Sequence, residues 1–134
     1  MRWLRRFQED AKRGPDGVSR HFKPGALLTT TRASLSSPEE IVDEYASLGL
    51  AGVFLRPLSP IGFARRSWKV IGYTPAEFLA FYRRALDRVI EHCRRGTPLY
   101  EKHAAILLNK ILRRRDPGYV DLRSPSAAGL GVLA

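Results

Sequence analysis

The stretch Gly25 to Pro60, GALLTTTRASLSSPEEIVDEYASLGLAGVFLRPLSP, limits what this chain can fold into more than any other. It has the grammar of a strand, a helix and a second strand. Leucines mixed with threonines from Ala26 to Thr31 favour a pleated strand. A turn-rich loop, Arg32 to Ser37, leads to a helix start at Ser37, Pro38 and Glu40, where serine suits the cap, proline the first turn and glutamate the return bond. Ile41, Val42, Tyr45 and Leu48 recur on one helical face, and Gly49 supplies the stop. Val53 to Leu55 then form a short apolar strand ended by Arg56 and Pro57, because proline cannot donate to a ladder. Two such strands joined by a helix imply parallel pairing and a right-handed crossover.

The second half follows the same logic with helices. Thr74, Pro75 and Glu77 repeat the cap pattern, and Phe78, Phe81, Tyr82, Ala85, Leu86, Val89, Ile90 and Cys93 follow at helical spacing. This predicts a helix over Pro75 to Arg94, stopped at Gly96, with Cys93 a small buried apolar residue on its inner face. Thr97 and Pro98 open a further predicted helix to Arg113, with His103 on its exposed side. Upstream, Trp3, Leu4, Phe7 and Ala11 make an apolar stripe within Arg2 to Arg13, read as the end of a packed helix. Residues 1–24 are thus a helix end and connector, 25–115 the main body, and 116–134 the start of a further extension.

Between Leu58 and Tyr73 lies a long connection holding Gly62, Arg65, Arg66, Trp68 and Lys69. Read as a loop, it leaves the carboxyl end of a strand, where parallel α/β folds place their ligand sites. Those residues are candidates for a substrate or lid loop, and a basic lid without a fixed ligand is the plain alternative. Arg56, at the end of an apolar strand, needs a partner, either an internal carboxylate or an anionic ligand.

Composition excludes several classes. The chain has 134 residues with 23 Lys and Arg against 13 Asp and Glu, a formal net charge of +10, which favours polyanions or an acidic partner unless the charges are only a solvated surface. Its one cysteine, Cys93, rules out an internal disulfide framework and a cysteine-only metal cage. No apolar run approaches the ~20 residues of a membrane span, the N-terminus lacks the apolar core of a signal peptide, and a single cysteine suits a reducing compartment, so no membrane partner and a cytoplasmic location are expected. No convincing catalytic pair, phosphate loop or metal spacing is present. Glu39, Glu40, Asp43 and Glu44 crowd one helix start, where the helix dipole accounts for them.

The run TTTRASLSSPEEIVDEYASLG followed by FLRPLSPIGFA resembles the later half of the barrel in radical S-adenosylmethionine enzymes that modify peptides. More narrowly, it is similar to the radical SAM maturase of the His-Xaa-Ser system. The similarity continues through YTPAEFLAFYRRALDRVIE to GYVDLRSPSAAGLGVL. It implies a partial parallel α/β barrel, with S-adenosylmethionine and a 4Fe-4S cluster as the complete enzyme's cofactors and a ribosomally made peptide as substrate. The family reaction begins with reductive cleavage of S-adenosylmethionine to a 5′-deoxyadenosyl radical. The resemblance carries Arg56 and Arg32 over as cofactor-binding positions, with the loop through Gly62 beside them.

The chain departs from that family in its cysteines. The CxxxCxxC cluster loop is missing, and three thiolate ligands cannot come from Cys93. The implied role is therefore a fragment, inactive by itself and completed by an N-terminal half supplied elsewhere. The competing reading is a non-enzymatic basic module that binds nucleic acid or an acidic protein through Arg65, Arg66, Trp68 and Lys69.

Overall fold

A computed structural model of the chain describes residues 3–6, 9 and 24–114. Residues 3–6 are helical; the rest of the expected N-terminal stripe and the whole of 116–134 lie outside the described residues. The chain divides into two compact units, 1–102 and 103–134.

The first unit is built on strands β1 (Gly25–Thr29), β2 (Gly52–Arg56) and β3 (Tyr100–Glu101), all parallel, in the order β1-β2-β3. Gly25 pairs with Gly52 and Thr29 with Arg56 along the first ladder, and Gly52 with Tyr100 along the second. Helix α1 (Pro38–Ser47) crosses from β1 to β2, as its sequence predicts. A 3-10 turn, Arg32–Ser36, occupies the expected loop before it. Pro38 opens α1, but the Ser37 side chain makes no cap bond. The helix ends in a paired closure in which Gly49 N donates to Ala46 O and Leu50 N to Tyr45 O. That closure needs the left-handed φ of 67° that Gly49 adopts.

Helix α3 (Pro75–Arg94) fulfils its sequence signal at both ends. Thr74 Oγ1 accepts from Glu77 N at 3.3 Å and Glu77 Oε2 accepts from Thr74 N at 2.6 Å. At the far end Gly96 N donates to Cys93 O and Thr97 N to His92 O. Val42 of α1, Val53 and Leu55 of β2, Phe81, Ala85 and Val89 of α3, and Leu99 form the core. Alternation along the strands sends Leu28, Val53 and Leu55 to this side, where α1 and α3 lie.

Three expectations need correction. The connection after β2 is not a loop throughout: Phe63–Ile71 form a helix, α2, whose apolar positions Phe63, Ala64, Trp68, Val70 and Ile71 share one side opposite Arg65, Arg66 and Lys69, a helical period hidden by the segment's shortness and by Gly62 and Gly72 at its ends. The predicted helix from Pro98 begins later, at Lys102, because Tyr100 and Glu101 pair with β2 first; α4 is Lys102–Arg113. Cys93 is exposed, not buried, and its thiol donates to the Leu99 carbonyl at 2.9 Å. In the second unit the described residues continue α4, with His103 half-buried and Leu107, Leu108, Ile111 and Leu112 exposed.

Candidate functional site

Alternation gives the sheet of the first unit a second face, formed by Gly25, Leu27, Thr29, Gly52, Phe54, Arg56 and Tyr100. Here Leu27 is 60% exposed and Tyr100 53% exposed, whereas Leu55 on the opposite face is fully buried. Gly25, Leu27, Gly52, Phe54, Tyr100 and Lys102 line a hollow of about 210 Å³ at the amino end of this face. Its floor depends on a missing side chain, since a Cβ at Gly52 would lie 2.5 Å from the Tyr100 ring. Lys102 Nζ stands 5.4 Å from the centre of the buried Phe54 ring, within cation–π distance.

Arg56 closes β2 at the carboxyl end of that face, half-buried, and engages other groups of the chain. Its carbonyl accepts from Thr30 N at 2.9 Å, so β1 and β2 stay paired one residue beyond their ladder. Arg32 lies at the start of the 3-10 turn and is exposed. It lies near Glu77, whose carboxyl is held below the usual range first by the Thr74 N–H and hydroxyl and then by the Arg32 charge.

The connection from β2 to α3 is stapled at its ends, with Leu58 N donating to Tyr73 Oη at 2.7 Å. Burial raises the Tyr73 hydroxyl's pKa, against the lowering effect of that N–H. Gly62 precedes α2 with φ 60° and ψ −128°, a conformation natural to glycine and costly for other residues. Within α2 the structure separates residues that adjacency had grouped. Trp68 turns inward, 6.3 Å from Tyr73 and so close to Gly72 that a Cβ there would meet the indole at 2.4 Å. Arg65, Arg66 and Lys69 are exposed. From Tyr73 an aromatic row continues through Phe78 to Phe81 and Tyr82.

Two features escaped the sequence reading. Glu101 is only 3% exposed, with Leu55 N donating to Oε1 at 3.2 Å and Tyr82 donating to Oε2. No local signal marked an extended segment there, since Leu99, Tyr100 and Glu101 show no alternation of apolar and polar side chains. The acidic crowd on α1 is also not merely solvated. Glu39 takes Arg84 in a two-pronged pair, and Asp43 takes Arg88 and His92, which bolts α1 to α3. The Arg88 hydrogen bonds hold the Asp43 carboxyl down at about 2, against the opposing effect of desolvation, with His92 adding to the lowering.

A 4Fe-4S cluster does not fit this chain's residues. Cys93 is its one thiol, at the end of α3 on the carbonyl of Leu99, and among the described residues no group of three His, Cys, Asp or Glu side chains is placed to hold a metal ion. No protein-family model, curated protein or solved structure matches the chain. No described helix is long and apolar enough to cross a membrane.

Proposed function

We propose that this chain is the late βα part of a parallel α/β barrel in a peptide-modifying radical S-adenosylmethionine maturase, inactive without a further segment or chain that carries the cluster cysteines. One observation supports it above the others: a parallel β1-α1-β2 unit with helices on one face and Arg56 at the carboxyl end of the other. Parallel sheets are covered on both faces almost without exception. A barrel meets that requirement by turning the second face inward, which would put Arg56 at its mouth. There a guanidinium suits the carboxylate of S-adenosylmethionine, with Arg32 beyond the end of β1 as a second cation. The buried Thr30 hydroxyl has no part in this, because it lies on the helix side. The peptide is the expected substrate, and cytoplasmic conditions suit the chemistry.

The coding sequence on either side supplies the test. A reading frame with CxxxCxxC should lie adjacent, and its product co-expressed with this chain should bind iron and form 5′-deoxyadenosine. Arg56→Ala should then lose product formation while this chain still folds. Stoichiometric iron and 5′-deoxyadenosine from this chain by itself, or no such frame nearby, would overturn the proposal. The competing reading, a basic module for nucleic acid or an acidic protein, rests on the exposed Arg65, Arg66 and Lys69 together with the net charge of +10. A steep salt dependence of RNA binding would favour it.

A further inference from the structure

Helix α2 holds an apolar and cationic face away from the molecule, and we propose that this face docks the protein on the surface of an anionic phospholipid bilayer. The inward side is fixed by Trp68 against Gly72 and Tyr73. What remains outward is unusual for a surface helix. Phe63 and Val70, seven residues apart and so on one side, are 79% and 74% exposed, and Ile61 just before the helix is 69% exposed. Arg66 borders this pair, Arg65 and Lys69 lie beyond it, and all three are exposed. No acidic residue occurs from Pro57 to Ala76 to neutralise them.

Adjoining apolar and cationic residues on one short helix match the boundary between headgroups and acyl chains, where side chains such as phenylalanine bury and arginines meet lipid phosphates. RNA would answer the cations but offers nothing to Ile61 and Val70, and the indole that could stack on a base faces inward. A folded protein partner needs roughly 800 Å² on each side with matched shape, more than a helix of nine residues presents. A bilayer sets no shape requirement. The contact is peripheral, so it departs from the expectation of no membrane partner, which rested on the lack of a spanning run, and it is independent of the maturase reading, since it uses neither Arg56 nor any cofactor.

Co-sedimentation of the full chain with phosphatidylcholine vesicles, with and without phosphatidylserine, tests this. Binding should require phosphatidylserine and weaken with salt. Each cation near the surface contributes about fivefold, so the R65S/R66S/K69S variant should bind about 100-fold more weakly. F63S/V70S should lose about tenfold or more, through burial rather than charge. Removing the exposed Arg83 and Arg94 of α3 as R83S/R94S should change binding less than threefold, which separates α2 from the net charge. Circular dichroism melts check folding, and should the apolar variant melt early, the triple variant decides. Equal binding to neutral vesicles, an α3 variant as defective as the triple, or binding to poly(U) RNA without binding to vesicles would each overturn the proposal.

Discussion

Glu101 and Tyr82 meet inside the first unit, with the Tyr82 hydroxyl donating to Glu101 Oε2 at 2.5 Å while the other carboxylate oxygen takes Leu55 N–H. The arrangement follows from the brevity of β3. Its ladder with β2 ends at Val53 and Glu101, where the chain turns into α4, so the next N–H of β2 on that side has no strand to bond. The carboxylate of Glu101 substitutes for the missing carbonyl. An uncompensated buried N–H costs about 1–3 kcal/mol.

Glu101→Ala should accordingly lower unfolding free energy by about 2–4 kcal/mol, because it leaves the Leu55 N–H uncompensated and removes the carboxylate that accepts from the Tyr82 hydroxyl. Tyr82→Phe should cost less, about 1–2 kcal/mol, since Glu101 keeps its bond to Leu55. Urea unfolding of the two single variants and the double variant gives the coupling. If the two effects simply add, the residues do not interact as described.

Thr30 offers the opposite sign. It is fully buried, and its Oγ1 has no hydrogen-bond partner among the described residues. Thr30→Val keeps the shape and removes the stranded hydroxyl, so stability should rise by about 1 kcal/mol. A thermal melt of the variant below that of the parent would show that the hydroxyl is satisfied in solution.

Acid should loosen the α1–α3 contact through Asp43. Its carboxyl is held at about 2 in the folded protein against an ordinary 3.8, chiefly by Arg88, so the folded state favours the charged form. That contribution is complete above about pH 4 and disappears as pH falls through 2. Because the Asp43 side chain is 40% exposed, solvent screening limits it to about 1 kcal/mol. Glu39, Glu77 and Glu91 are lowered too and act with the same sign. In urea titrations from about pH 5 to pH 2, Asp43→Asn should flatten the acid loss. An unchanged slope would remove Asp43 from the explanation.

Gly52 and Gly25 are partners across the first ladder but should respond differently to a methyl group. A Cβ at Gly52 would meet the Tyr100 ring at 2.5 Å and the Tyr100 carbonyl oxygen at 2.8 Å. The ring can swing aside, but the carbonyl belongs to the β2–β3 ladder. Gly52→Ala should cost about 2 kcal/mol, within the range for overpacking. Gly25→Ala meets its nearest atom, the Gly52 carbonyl oxygen, at 3.3 Å and should cost under about 1 kcal/mol. Equal losses in chemical denaturation would mean that the contact with Tyr100 does not set the spacing.

Much of the fold was legible in the sequence because local chemistry specified it. Gly49 and Gly96 end helices by a backbone conformation, Thr74 and Glu77 begin one by reciprocal hydrogen bonds, and Pro38 begins another through its fixed φ. These devices act within a few residues, as do the β-branched content that marked β1 and the short apolar run before Pro57 that marked β2. What adjacency could not give was which neighbours share a face. Arg65, Arg66, Trp68 and Lys69 look like one cluster in the chain, yet a helix turn sends Trp68 inward and the cations outward. Tyr100 and Glu101 look like the first turn of a helix, and only the open side of β2 made them a strand. Glu39 and Asp43 look solvated until α3 brings Arg84, Arg88 and His92 against them from 45 to 49 residues away. Caps and the residue types that favour a strand act over a few residues, whereas burial, ion pairing and the short third strand depend on segments that meet only when the chain closes on itself.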